Sequence, residues 1–314
     1  MANYLITGGA GFIGSNLAQV LVEKGDTVVI VDDLSMGSLA NINKLNTDQV
    51  TVYQKSITDH EFMCKLLVNN HFDYLVLLGA VASVADSVAR PLETHAINCE
   101  ANLNIFDVIR RHQINVKKIF FASSAAVYGN GGPTTKQETS SIDPLSPYAI
   151  DKFTTERYLL NYGQLYGLNT VAARFFNVYG PKQNPNSPYS GVLSIINKAL
   201  TEDSEFALFG DGEQTRDFVY VQDVIRAVLL LLHDSNTNNS VYNIATGKAI
   251  SLNKVIEIFE KVYGKHLKIV KHSARKGDVK DSGADISKIQ KLGFQPEYSI
   301  QEGLSAYITN EKKI

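Results

Sequence analysis

The chain has 314 residues and a formal net charge of −2 at pH 7, and 44% of its residues are hydrophobic, a composition typical of a globular protein. This near-neutral charge argues against a nucleic-acid partner, which would require clustered basic residues. Its two cysteines, Cys64 and Cys99, lack metal-ligand spacing, so we expect a reduced, cytoplasmic protein without a metal. Without a signal peptide or an apolar run of roughly 18 residues, it is expected to have no membrane partner.

Short apolar runs alternate with helical patterns through the first half of the chain. Strands that alternate with helices form right-handed βαβ units, and nearly continuous apolar strands are typical of a sheet covered on both faces. The pattern predicts an α/β fold with a Rossmann-type, doubly wound parallel sheet. Strands are predicted at residues 3–7, 27–33, 50–54, 73–80, 117–124 and 169–177, and helices at about 12–23, 61–70, 94–112 and 148–166.

The pattern loosens after Asn177. Residues 178–191 hold three of the eight prolines and predict a long loop, which in a compact chain is often functional. Residues 216–234 predict a further strand and helix that return to the main sheet. We expect one domain from residues 1–177 with about 216–245, and a smaller mixed α/β lobe from about 178–215 and 246–314.

The sequence TGGAGFIG follows the first predicted strand and opens the first helix. Its glycines Gly8, Gly11 and Gly14 permit a tight turn, close approach of a pyrophosphate group, and close packing of helix on strand. The helix dipole and the free N–H groups of the first turn favour phosphate. Asp32 and Asp33 end the second strand and can accept hydrogen bonds from ribose hydroxyls, which favours NAD over NADP. A glycine-rich turn that binds nothing is the alternative.

The sequence SPYAIDK predicts a helix with Ser146 as its N-cap and Pro147 as its first residue. Tyr148 and Lys152 then lie on one face, one turn apart. A nearby ammonium group lowers the pKa of a phenol from about 10, which makes a tyrosine useful in acid–base catalysis. Ser124 ends the strand at 117–124, where open α/β sheets bind their ligands. The alternative is an ordinary helix face with a tyrosine and a snorkelling lysine.

Six motifs occur in the order TGGAGFIG, SSAAVYG, SPYAIDK, RFFNVYGP, GDGEQTRDFVYVQDV and RKGDVKDSGADISK. Over nearly the whole chain they resemble the extended short-chain dehydrogenase/reductase family, and specifically its nucleotide-sugar 4-epimerases. The resemblance implies that Tyr148 is the base, that Lys152 positions the nicotinamide ribose and tunes Tyr148, and that Ser124 assists. Ser123 is equally well placed by sequence, but the family pattern points to Ser124. The larger domain would bind NAD, and the smaller lobe would bind the nucleotide sugar.

The resemblance also implies a set of cofactor contacts, although three positions differ from the usual family residues. Asp33 stands where Asn is usual, Ser56 where Asp is usual, and Leu77 where His is usual. The implied cofactor-binding residues are Gly8, Gly11, Phe12, Ile13, Gly14, Asp32, Asp33, Ser35, Ser56, Ile57, Leu78, Gly79, Ala80, Asn98, Tyr148, Lys152 and Phe175.

Substrate binding requires cations that stay charged and can fork onto phosphate. Arg216 and Arg275 match the phosphate-binding arginines of the family, and Asn177 matches a residue near the phosphates. The family has a gate position beyond the second arginine, here Ser282, where a small residue admits a 2-acetamido group. The remaining implied substrate-binding residues are Ser83, Ser124, Val192, Ala207, Phe209 and Asp278.

Two alanines separate the expected reaction from those of related enzymes. The dehydratases of the family carry Asp-Glu after the serine or threonine, whereas this chain has Ala125 and Ala126, which favours 4-epimerisation. We expect interconversion of UDP-GlcNAc and UDP-GalNAc, and also of UDP-glucose and UDP-galactose. A UDP-uronic acid 4-epimerase, a nucleotide-sugar dehydratase and a non-catalytic NAD-binding protein are the alternatives. The resemblance also implies a homodimer built on the helices at 94–112 and 148–166.

Overall fold

The computed structural model describes residues 1–45, 48–183, 191–274 and 280–311. The strands of these residues are β1 Asn3–Thr7, β2 Thr27–Asp32, β3 Val50–Gln54, β4 Tyr74–Leu77, β5 Lys118–Ser124, β6 Thr135–Lys136, β7 Thr170–Phe175, β8 Asn177–Tyr179, β9 Glu205–Phe209, β10 Thr215–Tyr220, β11 Ser240–Ile244, β12 Ala249–Ser251, β13 Lys268–His272 and β14 Asp281–Ala284. Their α-helices are α1 Phe12–Glu23, α2 His60–Asn69, α3 Val84–Ala89, α4 Pro91–His95, α5 Ala101–Arg111, α6 Pro147–Tyr166, α7 Val192–Glu202, α8 Val221–His233, α9 Leu252–Tyr263, α10 Ser287–Gln290 and α11 Ile300–Glu311. A π-helical turn, Ala96–Glu100, joins α4 to α5.

Seven strands form one sheet in the order β11–β7–β5–β4–β1–β2–β3. β1 pairs in parallel with β2 and β4, and parallel pairing continues from β2 to β3 and from β4 to β5. Because the strand order runs outward in opposite directions from the β1–β4 pair, this pair is the topological switch point. Ligands of open α/β sheets bind at the carboxyl ends of the strands there. The predicted Rossmann-type fold is confirmed.

An apolar cluster fixes the strand ends that carry the loops. Leu5, Leu75 and Phe121 from three neighbouring strands pack with Met63 of α2 and Phe106 of α5, and all five side chains are buried. Burying a side chain of this size contributes about 1.5–3 kcal/mol to folding. The loops at the carboxyl edge of the sheet therefore extend from a well-packed base.

The chain divides into two compact units. One unit comprises residues 1–129, 142–174 and 225–242, and contains most of the seven-stranded sheet. The other comprises residues 130–141, 175–224 and 243–314; its strands follow the order β12–β10–β14–β6, with β8 paired to β10. In this second unit β9 and β13 form a separate two-stranded sheet. None of the described helices is long and apolar enough to cross a membrane.

The destination of one strand differs from the sequence prediction. We expected the strand that begins residues 216–234 to return to the main sheet, but β10 pairs with β8, β12 and β14 in the second unit. β11 joins the main sheet instead. A buried apolar run indicates a strand, but it does not indicate which sheet the strand joins.

Several predicted boundaries also change. The strand expected at 73–80 ends at Leu77, and Leu78 N donates to Thr7 O (3.1 Å) as the chain turns into a loop. The strand expected at 169–177 is divided into β7 and β8. The helix expected from residue 94 begins earlier, at Pro91, because proline fits the first turn of a helix.

Candidate active site

The loop after β1 turns sharply beside the loop after β4. Gly8 has a φ of +70°, and a Cβ atom at this position would lie 2.8 Å from the Cα atom of Gly79. The N–H of Gly8 donates to Val31 O (2.9 Å), and the N–H of Gly79 donates to the Thr7 hydroxyl (3.1 Å). Glycine at both positions lets the two backbones meet at the switch point.

The same loop leads into the N-terminus of α1. A Cβ atom at Gly14 would overlap Gly8 O and lie 2.7 Å from the Cα atom of Gly9. Gly11 is the N-cap residue and has no side chain to cap the helix; a Cβ there would meet only Gly8 O, at 3.2 Å. The first N–H groups of α1, at residues 12–14, have no intrahelical acceptor and suit an anionic ligand. The loop therefore fits the pyrophosphate of NAD, with Phe12 and Ile13 in the first turn.

Asp32 ends β2 with its carboxylate held by the backbone. One oxygen accepts the N–H of Ala10 (2.9 Å), and the other accepts the N–H of Leu34 (2.8 Å). Burial raises the pKa of Asp32, and hydrogen bonds from these N–H groups oppose the rise. The N–H of Gly11 also opposes the rise, and since a carboxylate has about four lone-pair sites, a ribose hydroxyl can still donate to it. Asp33 is exposed and accepts hydrogen bonds from the N–H and hydroxyl of Ser35 (2.9 and 2.6 Å).

The loop after β4 is fixed by the side chain of Asn98. In the π-helical turn, Asn98 Oδ1 accepts from Val81 N (2.8 Å), and its Nδ2 donates to Val81 O (3.0 Å). Its side chain thereby holds Val81, the residue that follows the predicted cofactor residues Leu78, Gly79 and Ala80. Ser83 is the N-cap of α3 and accepts the N–H of Asp86 (2.9 Å). π-Helical turns often occur at functional sites.

Two further predicted cofactor residues follow β3. The hydroxyl of Ser56 lies 2.9 Å from that of Thr58, where the family usually has a carboxylate. Ile57 is buried, and its Cδ1 atom would lie 3.4 Å from a Cβ atom at Gly79. Ile57 thus packs beside the loop after β4.

The hydroxyl of Ser124 lies near that of Tyr148 and favours its phenolate. α6 begins as predicted: Ser146 is its N-cap and Pro147 its first residue. Ser124 ends β5, and its Oγ also accepts the N–H of Ala126 (3.2 Å). The N-cap and the strand end together bring the two side chains close to each other.

Lys152 is buried one turn after Tyr148. Its ammonium donates to Ala122 O (2.8 Å) and lies 4.9 Å from the centre of the Phe121 ring and 5.9 Å from that of Tyr148. Burial lowers the pKa of Lys152 to about 8, and the charge of Asp151 opposes the shift. At neutral pH the amine is still mostly charged.

The pKa of Tyr148 departs from the sequence-based expectation. We expected the ammonium group to lower it, but burial raises the pKa of Tyr148, while the hydrogen bond from Ser124 opposes the rise. A charge stabilises a phenolate only to the extent that it exceeds the loss of hydration. Burial dominates, and Tyr148 is a neutral phenol at pH 7.

In the second unit, Arg216 and Ser282 are neighbours. They are register partners in the parallel β10–β14 pair, so their side chains lie on the same face of the sheet. Two main-chain oxygens accept from Arg216 Nη1, at 2.8 and 3.1 Å. Asn177 starts β8, and its side chain donates to Asp217 O (3.3 Å).

The remaining predicted residues of this unit lie on several elements. Val192 is the first residue of α7, and Ala207 is exposed on β9. Phe209 ends β9 and stacks on His272, with ring centres 5.1 Å apart. Phe175, predicted to contact the cofactor, is buried at the end of β7. Arg275 and Asp278 lie outside the described residues.

Sequence reasoning missed Asp217, which is buried next to Arg216. Its carboxylate accepts from the N–H and hydroxyl of Thr246 (2.8 and 2.6 Å) and from the N–H of Gly247 (2.8 Å). These bonds fasten the strand that carries Arg216 to the loop before β12. The sequence did contain a signal for this role, an aspartate inside an apolar strand. A buried carboxylate requires several hydrogen-bond donors, so such a residue is expected to hold neighbouring backbone in place.

A family model described as GDP-mannose 4,6 dehydratase matches residues 5–307. The chain belongs to the extended short-chain dehydrogenase/reductase family. A solved UDP-N-acetylglucosamine 4-epimerase from Methanobrevibacter ruminantium, in complex with UDP-N-acetylmuramic acid, is 37% identical with a TM-score of 0.93, covering 100% of this chain and 99% of that chain. The Thermus thermophilus UDP-glucose 4-epimerase in complex with NAD is 30% identical with a TM-score of 0.89, covering 99% of each chain. A UDP-glucuronate 4-epimerase of Thermodesulfobacterium geofontis is 33% identical over 100% of this chain and 97% of its own length.

These relatives confirm the predicted family of nucleotide-sugar 4-epimerases. They share nearly the full length of this member of the short-chain dehydrogenase/reductase family, yet their names include three sugars. The roles of individual residues in this chain stay predictions.

Proposed function

We propose that this enzyme catalyses the NAD-dependent, reversible inversion of C4 of a UDP-hexose. The observation that carries the proposal is the placement of Tyr148 at the start of α6, near Ser124 at the end of β5 and one helical turn from the buried Lys152. These groups occupy the same compact unit as the glycine loop, which fits a pyrophosphate. The family and the NAD-containing relative support the cofactor.

The reaction needs a group that removes a proton from the 4-hydroxyl and later returns it. Reversible hydride transfer at C4 is the chemistry that NAD would supply when bound, so the protein must supply orientation and proton transfer. Tyr148 takes the proton as its phenolate, Ser124 holds the same sugar oxygen, and the charge of Lys152 favours the phenolate. Burial raises the pKa of Tyr148, so the proton transfer depends on the groups that favour the phenolate.

Two observations favour epimerisation over elimination or simple binding. Ala125 and Ala126, in the 3₁₀ turn after Ser124, offer no carboxyl group to protonate a leaving hydroxyl. A protein that only senses NAD would not need Tyr148, Ser124 and Lys152 placed together. Both cysteines, Cys64 and Cys99, are free thiols, which suits a reducing cytoplasm.

The preferred substrate pair is UDP-GlcNAc and UDP-GalNAc, with UDP-glucose and UDP-galactose as further substrates. Ser282 lies beside Arg216, the proposed pyrophosphate ligand, and its small side chain leaves room for a 2-acetamido group. The likeness to a UDP-glucuronate 4-epimerase makes a UDP-uronic acid the second candidate.

The deciding experiment is turnover of UDP-GlcNAc, UDP-glucose and UDP-glucuronic acid, followed by proton NMR without added NAD. We expect inversion at C4 of UDP-GlcNAc by the enzyme as purified, because the reaction returns the cofactor to its starting state. Turnover of UDP-glucose alone would contradict the N-acetyl preference, and elimination of water would contradict epimerisation.

Tyr148→Phe should abolish turnover, because it removes the proposed base. The control is Tyr263→Phe, which removes a hydroxyl bonded to Asn197 (2.7 Å) in the second unit and should not affect turnover.

The gate at Ser282 has its own test. Replacing it by tyrosine should abolish turnover of UDP-GlcNAc while UDP-glucose is still converted, because the ring fills the space of the acetamido group. Ser282→Ala is the matched control and should convert both sugars. If Ser282→Tyr converts both equally well, this residue is not the gate.

A further inference from the structure

A buried ion pair joins α6 to β7. Arg174 donates to Glu156 through Nε (3.0 Å) and Nη2 (2.6 Å), and the two side chains are 4% and 1% exposed. The loss of hydration offsets most of the attraction in such a pair, and apolar residues of similar volume often stabilise a fold as well. Stability alone therefore does not account for the pair, and its other partners indicate a role.

The pair also holds both ends of one short turn. Ser123 donates its hydroxyl to Glu156 Oε2 (2.7 Å). Arg174 Nη1 donates to the hydroxyl of Tyr128 (2.9 Å), and its guanidinium carbon lies 4.8 Å from the centre of that ring. Between Ser123 and Tyr128 lies the turn that begins with Ser124.

The pair is also aligned with the helix face that carries the proposed base. Glu156 follows Lys152 by one turn and Tyr148 by two, so the three share a face of α6. Lys152 holds Ala122 O, and Glu156 holds the hydroxyl of the next residue, Ser123. Two successive turns of α6 are thus fastened to two successive residues at the end of β5.

We propose that Glu156 and Arg174 are positioning residues that set the placement of Ser124 relative to Tyr148. Through Ser123 and Tyr128 they fix the turn that carries Ser124 relative to the helix that carries Tyr148. The proposal rests on the proposed function of Ser124 and Tyr148. It assigns an active-site purpose to a buried pair that lies outside the predicted substrate and cofactor contacts.

The test removes the hydrogen bonds that join the ion pair to the turn and keeps the charges of Glu156 and Arg174. Glu156→Gln is unsuitable, because it would leave the buried guanidinium of Arg174 without a carboxylate partner and so test folding as much as positioning. Ser123→Ala and Tyr128→Phe each remove one hydroxyl and keep the ion pair. Thr170→Val is the matched control: it removes a buried hydroxyl bonded to Asn239 (2.8 Å) at the opposite end of β7 from Arg174.

Ser123→Ala and Tyr128→Phe should lower kcat about tenfold or more with little change in KM, because small misplacements of reacting groups are costly. The pH profile of kcat should move to higher pH, since a weaker bond from Ser124 raises the pKa of Tyr148. Thr170→Val should change neither. Kinetics of both variants that match those of Thr170→Val would overturn the proposal.

A second readout separates this proposal from the proposed function. A carbon-13 label at the Cζ atom of tyrosine reports the hydrogen bonding of Tyr148 by NMR in the ligand-free enzyme, with Tyr148→Phe identifying its resonance. Ser123→Ala should shift this resonance and Thr170→Val should not, whichever sugar the enzyme converts. An unmoved resonance in Ser123→Ala contradicts the positioning role, even if the wild-type enzyme epimerises a UDP-sugar.

Discussion

At Tyr148, two local effects on the pKa have opposite signs. Burial raises the pKa, whereas the hydrogen bond from Ser124 opposes the rise. At Lys152, burial favours the neutral amine and lowers the pKa to about 8. Both side chains therefore lie in surroundings that disfavour the charges that their proposed chemistry requires. This should be visible in the pH dependence of kcat for Tyr148 and in the stability of the protein for Lys152.

Ser124→Ala should shift the pH profile of kcat. Since Ser124 lowers the pKa of Tyr148, its removal raises that pKa and moves the rising limb of the profile to higher pH. Because a hydrogen bond to a charged group contributes about 1.5–3 kcal/mol, kcat near neutral pH should fall about 10- to 100-fold. Epimerisation rates measured across pH check this, and an unchanged profile would show that Ser124 does not act on Tyr148.

Lys152→Met should stabilise the ligand-free protein at pH 7 while it abolishes turnover. Below pH 8 the amine is charged in both states, so the full cost of burying that charge is present. From about pH 8 to 10.5 only the unfolded chain stays protonated, so wild-type stability rises with pH and the advantage of the variant shrinks.

The expected gain at pH 7 is about 2 kcal/mol, after the lost bond to Ala122 is subtracted. Urea unfolding of both proteins across this pH range measures it. Lys117→Met, which removes an exposed lysine paired with Asp73 (3.0 Å), is the control and should bring no such gain. A variant that is less stable than wild type at pH 7 contradicts the expectation.

At the scale of elements, the site is built from strand ends and helix starts. β1 leads into the glycine loop and α1, β4 into the segment held by Asn98, and β5 into the turn that begins with Ser124. Side chains and N–H groups at these ends are fixed by the packed sheet below them, which suits a reaction that depends on orientation.

Gly14→Ala should remove the bound cofactor. The new Cβ atom overlaps Gly8 O, so the start of α1 must move away from the loop that would hold the pyrophosphate. We expect the purified variant to retain about tenfold less NAD, a loss of roughly 1.4 kcal/mol in binding. The NAD released on denaturation measures this.

The control lies at the other end of the same helix. Gly25 has a φ of +85° with open space around its Cβ position, so Gly25→Ala should cost about 1 kcal/mol of stability and keep the cofactor. Equal NAD content in Gly14→Ala and wild type would argue against the glycine loop as the cofactor site.

At the scale of the molecule, the predicted homodimer has a candidate surface on α6. Tyr158 is 44% exposed and Leu165 is 66% exposed, about two turns apart on this helix. The predicted contact helices were those at residues 94–112 and 148–166, and apolar side chains on such a face suit burial against a second copy.

Sedimentation equilibrium should therefore find a dimer of the wild-type chain. Tyr158→Glu with Leu165→Glu should give a monomer, because burying two carboxylates without partners is unfavourable. The matched control is Tyr158→Phe, which keeps the apolar ring and should remain dimeric. A monomeric wild-type chain would refute the predicted assembly.

Local patterns in the sequence determined the parallel sheet, the glycine loop, and the helix that carries Tyr148 and Lys152, because each depends on residues within a few turns or one βαβ unit. Tertiary structure decided what depends on distant partners. β10 joined the second sheet, the side chain of Asn98 bonded to Val81 in the loop after β4, and burial set the direction of the pKa shift at Tyr148. Burial and pairing are set by residues far apart in the chain, and no local pattern contains them.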